Sequence, residues 1–351
     1  MRVGTESVAV LGAGSWGTAL SCVAAWRGCD VRLWGRRDKQ VEYIQRNQHN
    51  PDYLAKYELP PDIRATSDMA KAVDGARVII AAVASSAVRS VAQKLAGEYK
   101  SHIVVSAAKG LEPKTRLRMS QVLLEELPSD ASEKVCSLSG PNFAAEVIEK
   151  LPAGTVVACP AEENAAAVQK LLSGPELRVY TSDDLLGVEL GGALKNVYAM
   201  GVGMVDSLGL GYNAQSTLIT RGLAEMVRLG VALGAHPLTF AGLSGLGDMV
   251  LTCTTDLSRN RRTGLALGRG ETLQEIQEKG ETVEGIRTAR VAAELADAHH
   301  VEMPIVKQVC SILFDEKDPL EAVDELMTRS AKTEREVDFV TRSAQDWLKN
   351  S

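Results

Sequence analysis

Hydrophobic positions in the first half of the chain form short, nearly continuous runs, and segments with helical spacing separate these runs. The runs predict strands over residues 7–11, 31–34, 77–83, 103–106 and 135–138, with two further candidates over residues 155–158 and 178–180. Apolar strands that alternate with helices are typical of a parallel sheet covered on both faces. The first half is therefore predicted to be a doubly wound, Rossmann-like α/β domain.

After about Asp184 the strand-like runs disappear and only helical spacing remains. The predicted helices cover residues 185–208, 213–233, 261–267, 289–298, 305–314 and 333–348. The last of them is rich in charged residues, a pattern typical of a solvated face. A length of 351 residues suits two domains. We place the boundary between Leu185 and Gly191, which predicts an α/β domain over residues 1–188 and an all-helical domain over residues 189–351.

A glycine-rich segment follows the first predicted strand and opens the first predicted helix. It reads Gly12-Ala13-Gly14-Ser15-Trp16-Gly17. In this context Gly12 permits a tight turn, Gly14 lets the backbone approach a pyrophosphate, and Gly17 lets helix and strand pack closely. The N-terminus of the helix adds unpaired N–H groups and the positive end of a dipole. The segment predicts a dinucleotide site. A glycine turn without a ligand is the alternative.

The end of the second predicted strand bears on the choice of coenzyme. A carboxylate usually binds the ribose hydroxyls there in NAD-selective proteins. In this chain Arg36 and Arg37 come first, and no acidic residue precedes Asp38. Guanidinium groups suit a 2′-phosphate by charge and by their forked geometry. We therefore expect NADP to be accepted beside NAD. In the alternative interpretation the arginines stack on adenine or face solvent.

A single lysine interrupts the apolar, glycine-rich segment Gly191-Gly192-Ala193-Leu194-Lys195-Asn196. Burying an ammonium group costs free energy unless it finds partners or loses its proton. Lys195 is therefore a candidate for proton transfer, because a neutral amine accepts a hydroxyl proton and an ammonium group donates to a carbonyl. The alternatives are a lysine that reaches the surface, or one that pairs with Glu189 or Asp206.

Three polar clusters provide donors for a small anionic substrate. Ser258, Arg259 and Asn260 stand where a helix is predicted to begin, which suits a phosphate. The preceding predicted loop offers the carboxylate of Asp248, which could orient a substrate hydroxyl or the lysine. Lys109 and the turn that contains Gly140 and Asn142 follow predicted strands, at the end of the sheet where ligands bind. Helix capping, a surface arginine pair and ordinary turns are the alternatives for these clusters.

Composition excludes several classes of protein. The formal net charge is −6, which disfavours binding to nucleic acid. The six cysteines have no C-x-x-C spacing and the five histidines form no zinc motif, so we expect reduced thiols and no metal. The apolar runs are far shorter than the ~20 residues that a membrane span needs. The short polar N-terminus resembles no signal peptide, and a cytoplasmic location is expected.

Taken together, these motifs and their order resemble those of bacterial-type NAD(P)-dependent glycerol-3-phosphate dehydrogenases. The similarity covers about residues 7–326. The matching segments are GAGSWGTAL from Gly12, AKGLE from Ala108, SGPNFA from Ser139, GALKN from Gly192, NAQSTLITRGLAEM from Asn213, GLGD from Gly245, LTCT from Leu251, SRNRR from Ser258 and VEG from Val283. Nine segments in this order are more specific than any one motif.

The resemblance implies a homodimeric enzyme that interconverts sn-glycerol 3-phosphate and dihydroxyacetone phosphate and thereby supplies the glycerophospholipid backbone. It implies that Lys195 accepts the proton. The positions that match substrate contacts are Lys109, Gly140, Asn142, Asp248, Ser258, Arg259 and Asn260. The positions that match or adjoin coenzyme contacts are Ser15, Trp16, Arg36, Arg37, Lys109, Ala144, Arg259, Thr282 and Glu284.

The sequence is also compatible with two other functions. A dehydrogenase of a 3-hydroxy acid would share the α/β-then-helical layout, but it would bind a carboxylate and would not need Ser258, Arg259 and Asn260 as a phosphate site. A regulatory protein that senses nucleotides would keep the glycine turn, but it would have no reason to carry Lys195, Asp248 and Arg259 together. Site chemistry therefore favours the phosphorylated alcohol.

Overall fold

The computed structural model describes residues 6–278, 280, 283–331 and 333–334. Within these residues the first half of the chain forms a sheet of eight strands. They are β1 (Ser7–Leu11), β2 (Asp30–Trp34), β3 (Ile63–Thr66), β4 (Val78–Ala81), β5 (Ile103–Ser106), β6 (Val135–Ser139), β7 (Ala153–Ala158) and β8 (Leu177–Ser182). Seven of the eight lie at predicted positions, and β3 was not predicted.

The strand order is β3-β2-β1-β4-β5-β6-β7-β8. The chain runs outward from β1 in both directions, which is the doubly wound arrangement expected from the sequence. Six of the seven strand pairs are parallel, as predicted, and one departs from the prediction, because β6 and β7 pair antiparallel with Ser137 opposite Ala158. β7 then pairs with β8 in parallel. The result is a mostly parallel sheet.

Helices surround the sheet and make up the second half of the described chain. The helices among the strands are α1 (Ser15–Trp26), α2 (Asp38–Asn47), α3 (Met69–Val73), α4 (Val88–Ala96), α5 (Met119–Glu126), α6 (Ala144–Ile148) and α7 (Glu162–Leu172). After β8 come α8 (Leu185–Ser207), α9 (Gly211–Ala232), α10 (Pro237–Phe240), α11 (Asp248–Thr254), α12 (Arg259–Gly268), α13 (Leu273–Glu278), α14 (Glu284–Ala298), α15 (Pro304–Phe314) and α16 (Pro319–Met327). The helix predicted over residues 333–348 lies outside the described residues, apart from residues 333 and 334.

The chain divides into two compact units. The first comprises Met1–Lys109 and Leu117–Glu189, and the second comprises Gly110–Arg116 and Leu190–Ser351. In the first unit the two faces of the sheet carry separate apolar cores. Alternate residues of β1 show this, since Val8 and Val10 belong to one core and Ala9 and Leu11 to the other. All four are fully buried, as expected for a strand with helices on both sides.

In the second unit glycines let two helices approach closely. A Cβ on Gly203 of α8 would lie 2.3 Å from the carbonyl oxygen of Arg261 in α12. A Cβ on Gly264 of α12 would lie 2.0 Å from the carbonyl oxygen of Met200 in α8. Neither position has room for a side chain. The first half of α12 is therefore held directly against the C-terminal half of α8, the helix that carries Lys195.

A buried carboxylate joins two other helices of the second unit. Glu225 of α9 is 1% exposed. It accepts hydrogen bonds from the backbone N–H groups of Ile305 (2.7 Å) and Val306 (3.3 Å) at the start of α15. Burial raises the pKa of Glu225 to about 7, although the two backbone bonds and Arg228 oppose the rise. The carboxyl group therefore holds its proton in the folded protein at a pH where the unfolded chain has lost it.

Glu225 is expected to make stability fall as the pH rises from about 5 to about 7.5, because its folded pKa lies above that of an exposed glutamate. In this window the unfolded chain binds fewer protons than the folded chain, so unfolding becomes easier. The loss should be on the order of 2 kcal/mol for the wild type. Urea unfolding of the wild type and of Glu225→Gln across this range checks the expectation. An equal loss in both proteins would contradict it.

Candidate active site

The glycine turn lies between β1 and α1. Gly12 has a φ of 126°, a left-handed conformation that favours glycine, and its N–H donates to the carbonyl of Trp34 at 2.8 Å. Gly14 is the N-cap of α1, and no side chain caps this helix end. A Cβ on Gly14 would meet no heavy atom within 4 Å. The turn therefore presents helix N–H groups beside open space, an arrangement that suits a pyrophosphate.

Two glycines of this turn are expected to respond differently to alanine. A Cβ on Gly17 would lie 1.9 Å from the carbonyl oxygen of Gly12, so Gly17→Ala should lower the free energy of unfolding by about 1–3 kcal/mol. Gly14→Ala has room and should change stability by less than about 1 kcal/mol. The methyl group of Gly14→Ala would instead occupy the space next to the turn and weaken coenzyme binding. Urea unfolding and coenzyme titration of both variants check this. Equal effects of the two substitutions on stability would contradict it.

Ser15 and Trp16, in the first turn of α1, are both partly buried. The indole of Trp16 packs against one core of the sheet, and its Nε1 has no hydrogen-bond partner among the described residues. Arg36 and Arg37 follow β2 and are exposed. Arg37 forms an ion pair with Asp52, Nη2 to Oδ2, at 2.8 Å. Both guanidinium groups are accessible to a ligand.

Lys109 lies in the first unit with the turn that follows β6. Its Nζ donates to the carbonyl of Gly140 at 2.8 Å and to Oδ1 of Asn142 at 3.2 Å. Asn142 in turn donates from Nδ2 to Oγ1 of Thr155 at 2.9 Å. Gly140 has a φ of 149°, and Ala144 begins α6. The structure thus brings together Lys109, Gly140 and Asn142, three of the predicted substrate residues.

Lys195 is buried in the second unit with 6% exposure. Its Nζ lies 2.5 Å from Oδ1 of Asp248 and donates to Oγ1 of Thr252 at 2.6 Å. Asp248 is fully buried and Thr252 is 3% exposed. The ammonium group is therefore held by a carboxylate and a hydroxyl inside the protein, where an ion pair depends on good geometry.

The alternatives for Lys195 involved Glu189 and Asp206, and the structure places both carboxylates with other groups. Glu189 accepts from Nη1 of Arg118 at 2.6 Å. Asp206 accepts from Nη2 of Arg261 at 2.8 Å. The salt bridge of Lys195 is made with Asp248 instead.

The predicted loop before Asp248 is helical. A π-helical turn spans Leu243–Gly247, and Asp248 is the first residue of α11. A Cβ on Gly191 would lie 2.8 Å from the carbonyl oxygen of Ser244, so the absence of a side chain there lets α8 approach this turn. Thr252 follows Asp248 by four residues and therefore faces the same side of α11. This local geometry puts both partners of Lys195 on one helix face.

Asn260 is linked to the residue that follows the lysine. Its Nδ2 donates to Oδ1 of Asn196 at 2.8 Å, and its Oδ1 accepts from the backbone N–H of Gly285 at 2.9 Å. Gly285 is next to Glu284, the first residue of α14. Thr282 lies outside the described residues. The structure therefore connects Asn260 to α8 through Asn196 and to the start of α14 through Gly285.

Ser258 and Arg259 stand at the start of α12. The Oγ of Ser258 accepts from the backbone N–H of Arg261 at 3.2 Å, so this hydroxyl caps the helix. Arg259 is exposed, and its side chain makes no hydrogen bond or ion pair with any residue that the structure describes. Its guanidinium group is available to an anion. The structure does not bring it into contact with Lys195 or Asp248.

Comparison with known proteins gives the same assignment along most of the chain. Residues 7–165 match the family model for the N-terminus of NAD-dependent glycerol-3-phosphate dehydrogenase, and residues 184–324 match the model for its C-terminus. A protein of Lysinibacillus sphaericus named glycerol-3-phosphate dehydrogenase [NAD(P)+] is 46% identical over 335 residues, which cover 95% of this chain and 98% of that protein. The chain belongs to the NAD-dependent glycerol-3-phosphate dehydrogenase family.

Two further relatives of this family are similar over most of their length. A glycerol-3-phosphate dehydrogenase [NAD(P)+] of Geobacillus kaustophilus is 47% identical over 332 residues, 94% of this chain and 96% of that protein. The crystal structure of glycerol-3-phosphate dehydrogenase from Coxiella burnetii superposes with a TM-score of 0.86 at 39% identity and covers 93% of this chain and 99% of that one. The fold class expected from the sequence is thereby confirmed.

Sequence reasoning missed two polar residues next to the lysine of this dehydrogenase. Thr252 touches Nζ of Lys195, and Asn196 binds Asn260. A signal existed for each: Thr252 stands four residues after Asp248, and Asn196 directly follows Lys195. Neither spacing indicates a contact with the site unless α11 and the beginning of α12 are known to pack near α8.

Across residues 6–278, 280, 283–331 and 333–334, no group of three or more His, Cys, Asp or Glu side chains is arranged to hold a metal ion. None of the helices in that part of the chain is both long and apolar enough to cross a membrane. All six cysteines are free thiols, and five of them are buried.

Proposed function

We propose that this protein interconverts sn-glycerol 3-phosphate and dihydroxyacetone phosphate with NAD or NADP as coenzyme. The observation that carries the proposal is the buried contact of Lys195 with Asp248 and Thr252, in a chain that shares 46% of its residues with a glycerol-3-phosphate dehydrogenase [NAD(P)+]. A buried lysine that has a carboxylate beside it can exchange a proton with a substrate oxygen. The proposal assigns that role to Lys195.

The first unit has the features that a nicotinamide coenzyme needs. Gly12, Gly14 and Gly17 form the turn that would hold the pyrophosphate at the N-terminus of α1, with Ser15 and Trp16 beside it. Arg36 and Arg37 are exposed where the adenine ribose binds in this fold, and they would hold a 2′-phosphate. Such a coenzyme supplies a hydride acceptor or donor. Further coenzyme contacts are proposed for Lys109, Ala144, Arg259, Thr282 and Glu284.

The proton is proposed to move at Nζ of Lys195. In reduction of the ketone, the ammonium group donates a hydrogen bond and then a proton to the carbonyl oxygen. In oxidation of the alcohol, the neutral amine accepts the hydroxyl proton. Asp248 and Thr252 fix the position of Nζ, so the amine has little conformational freedom to lose when substrate binds.

The remaining polar residues are proposed to bind the phosphorylated substrate. Arg259 is exposed at the start of α12, where a helix N-terminus also favours an anion, and it would pair with the phosphate. Ser258 and Asn260 flank it and offer a hydroxyl and an amide. Lys109, Gly140 and Asn142 are proposed as further substrate contacts, since their mutual hydrogen bonds fix a cation next to a backbone turn.

We assign coenzyme binding to residues 1–188 and substrate binding and dimerisation to residues 189–351. We further propose a homodimer, a cytoplasmic location and a role in supplying the glycerophospholipid backbone, as the resemblance to the family implies. Free thiols at all six cysteines agree with a reducing compartment.

A direct assay tests the proposal. Near-ultraviolet absorbance of the reduced coenzyme should fall when dihydroxyacetone phosphate is added to the purified protein, and it should not fall with a 3-oxo acid. Turnover with the oxo acid alone would reject the phosphate assignment.

A second experiment addresses the coenzyme: Arg36→Ala combined with Arg37→Ala should weaken binding of NADPH more than binding of NADH. Equal weakening would reject the 2′-phosphate role.

A further inference from the structure

Asp52 is not among the residues proposed to bind coenzyme or substrate, but its carboxylate contacts Arg37, which is. Oδ2 of Asp52 lies 2.8 Å from Nη2 of Arg37, and the two side chains are 41% and 50% exposed. Asp52 stands fifteen positions after Arg37, in the irregular segment that follows α2. The ion pair therefore connects the segment after β2 with a loop that lies outside the glycine turn.

The position of this loop is determined by a buried asparagine. Asn50 is fully buried and donates from Nδ2 to the carbonyl oxygen of Ala13 (3.1 Å) and to Oγ1 of Thr18 (2.8 Å). Its Oδ1 accepts from the backbone N–H of Asp52 at 3.2 Å. Ala13 lies inside the glycine turn. The loop that carries Asp52 is thus hydrogen-bonded to the turn proposed to hold the pyrophosphate.

Gln40 belongs to the same hydrogen-bond network and connects it to Arg37. Its Nε2 donates to the carbonyl oxygen of Ala13 and to Oδ1 of Asn50, both at 3.0 Å. Its Oε1 accepts from Nη2 of Arg37 at 3.0 Å. Because Gln40 is buried, Nη2 of Arg37 has a fixed partner as well as the carboxylate of Asp52. The guanidinium group is therefore held in one orientation relative to the glycine turn.

Nη2 belongs to both pairs of guanidinium N–H groups that can bind one phosphate together, Nε with Nη2 and Nη1 with Nη2. Because Asp52 and Gln40 occupy Nη2, a phosphate can reach Arg37 only through Nε or Nη1, which make no hydrogen bond with any residue in the described part of the chain. A 2′-phosphate bound there would lie close to the carboxylate of Asp52. Like charges at short range repel, whereas the ribose hydroxyl of NAD meets no such repulsion and can donate to a carboxylate.

We propose that Asp52 is a determinant of coenzyme selectivity that shifts the preference of this protein from NADPH towards NADH. Its carboxylate neutralises Arg37 and repels the 2′-phosphate, and it supplies the acidic group that the end of β2 lacks. The inference rests on the proposed function, since it assumes that Arg37 faces the adenine ribose. A prediction from Arg36 and Arg37 alone therefore overestimates the preference for NADP.

Coenzyme titrations of Asp52→Asn test the proposal without any substrate. The dissociation constants of NADPH and NADH are measured from the change in tryptophan or coenzyme fluorescence. The substitution should tighten NADPH by about two- to fivefold, the range expected for an exposed ion pair, and should leave NADH unchanged or weaker. The effect on NADPH should shrink at high ionic strength. An unchanged ratio of the two constants would overturn the proposal.

Two controls separate this inference from its alternatives. Asp62→Asn makes the same change in net charge at an exposed position and should leave the ratio of the two constants unchanged. In the Arg37→Gln background, Asp52→Asn should change the ratio by less than it does in the wild type. An equal change there would show that Asp52 acts without Arg37 and would overturn the proposed pair. If Arg37→Gln by itself leaves NADPH binding unaltered, it is the 2′-phosphate role in the proposed function that fails.

Discussion

Replacing Lys195 with alanine is expected to slow the reduction of dihydroxyacetone phosphate by about 10²–10⁴-fold, the usual contribution of a well-placed acid or base. Lys195 is buried, and its Nζ is fixed by Asp248 and Thr252, so no other group takes its place when it is removed. The loss should appear in kcat as well as in kcat/KM, because proton transfer belongs to the chemical step. Initial rates over a range of substrate concentrations give both constants.

The dissociation constant of the reduced coenzyme serves as the internal control for this variant. It should stay unchanged, because the glycine turn belongs to the first unit and Lys195 to the second. Lys307→Ala is a matched control, since Lys307 is also a lysine of the second unit with a carboxylate partner but is 53% exposed. It should retain full activity. Turnover by Lys195→Ala within a factor of about three of the wild type would disprove the role assigned to Lys195.

Removing the carboxylate of Asp248 is expected to have the largest effect on stability. Asp248→Ala would leave the ammonium group of Lys195 buried without the carboxylate that pairs with it. Breaking a buried ion pair in this way typically costs about 3–5 kcal/mol. Urea unfolding should therefore show a lower free energy of unfolding, and activity should fall with it, because Nζ is no longer held in place.

A double variant separates the cost of the unpaired charge from the loss of packing. Lys195→Met combined with Asp248→Leu replaces both charged groups with apolar ones and should recover most of the stability without recovering activity. Asp297→Ala removes the partner of the exposed Lys307 and should change stability by at most about 1 kcal/mol. Similar losses in Asp248→Ala and Asp297→Ala would show that burial of the Lys195 pair has no energetic consequence.

The sheet could be predicted from the sequence because most of its strands are buried on both faces. Strands β1, β4, β5 and β6 consist of apolar or small residues that are all or nearly all buried, so their hydrophobic runs are continuous. β3 was missed because only Ile63 of its four residues is buried, so this edge strand has no continuous run of hydrophobic residues. The antiparallel pairing of β7 with β6 was missed because a run of apolar residues does not indicate whether a strand runs parallel or antiparallel to its neighbour.

The site was less accessible to the same reasoning. The apolar surroundings of Lys195 marked it as a candidate, but its partner could be Glu189, Asp206 or Asp248 as far as the sequence showed. The choice depends on the π-helical turn Leu243–Gly247 and on α11, which are too short to produce a periodic pattern. The same limit applies to Asp52, because its contact with Arg37 depends on the buried side chains of Asn50 and Gln40.

The fate of a labelled hydride tests the central claim most directly. The wild-type protein is given dihydroxyacetone phosphate and a reduced coenzyme that carries deuterium at both hydrogen positions of C4 of the nicotinamide ring. The account predicts one deuterium on the central carbon of the glycerol 3-phosphate formed, in step with the oxidation of the coenzyme. Coenzyme oxidation without deuterated glycerol 3-phosphate, or no oxidation at all, would contradict it.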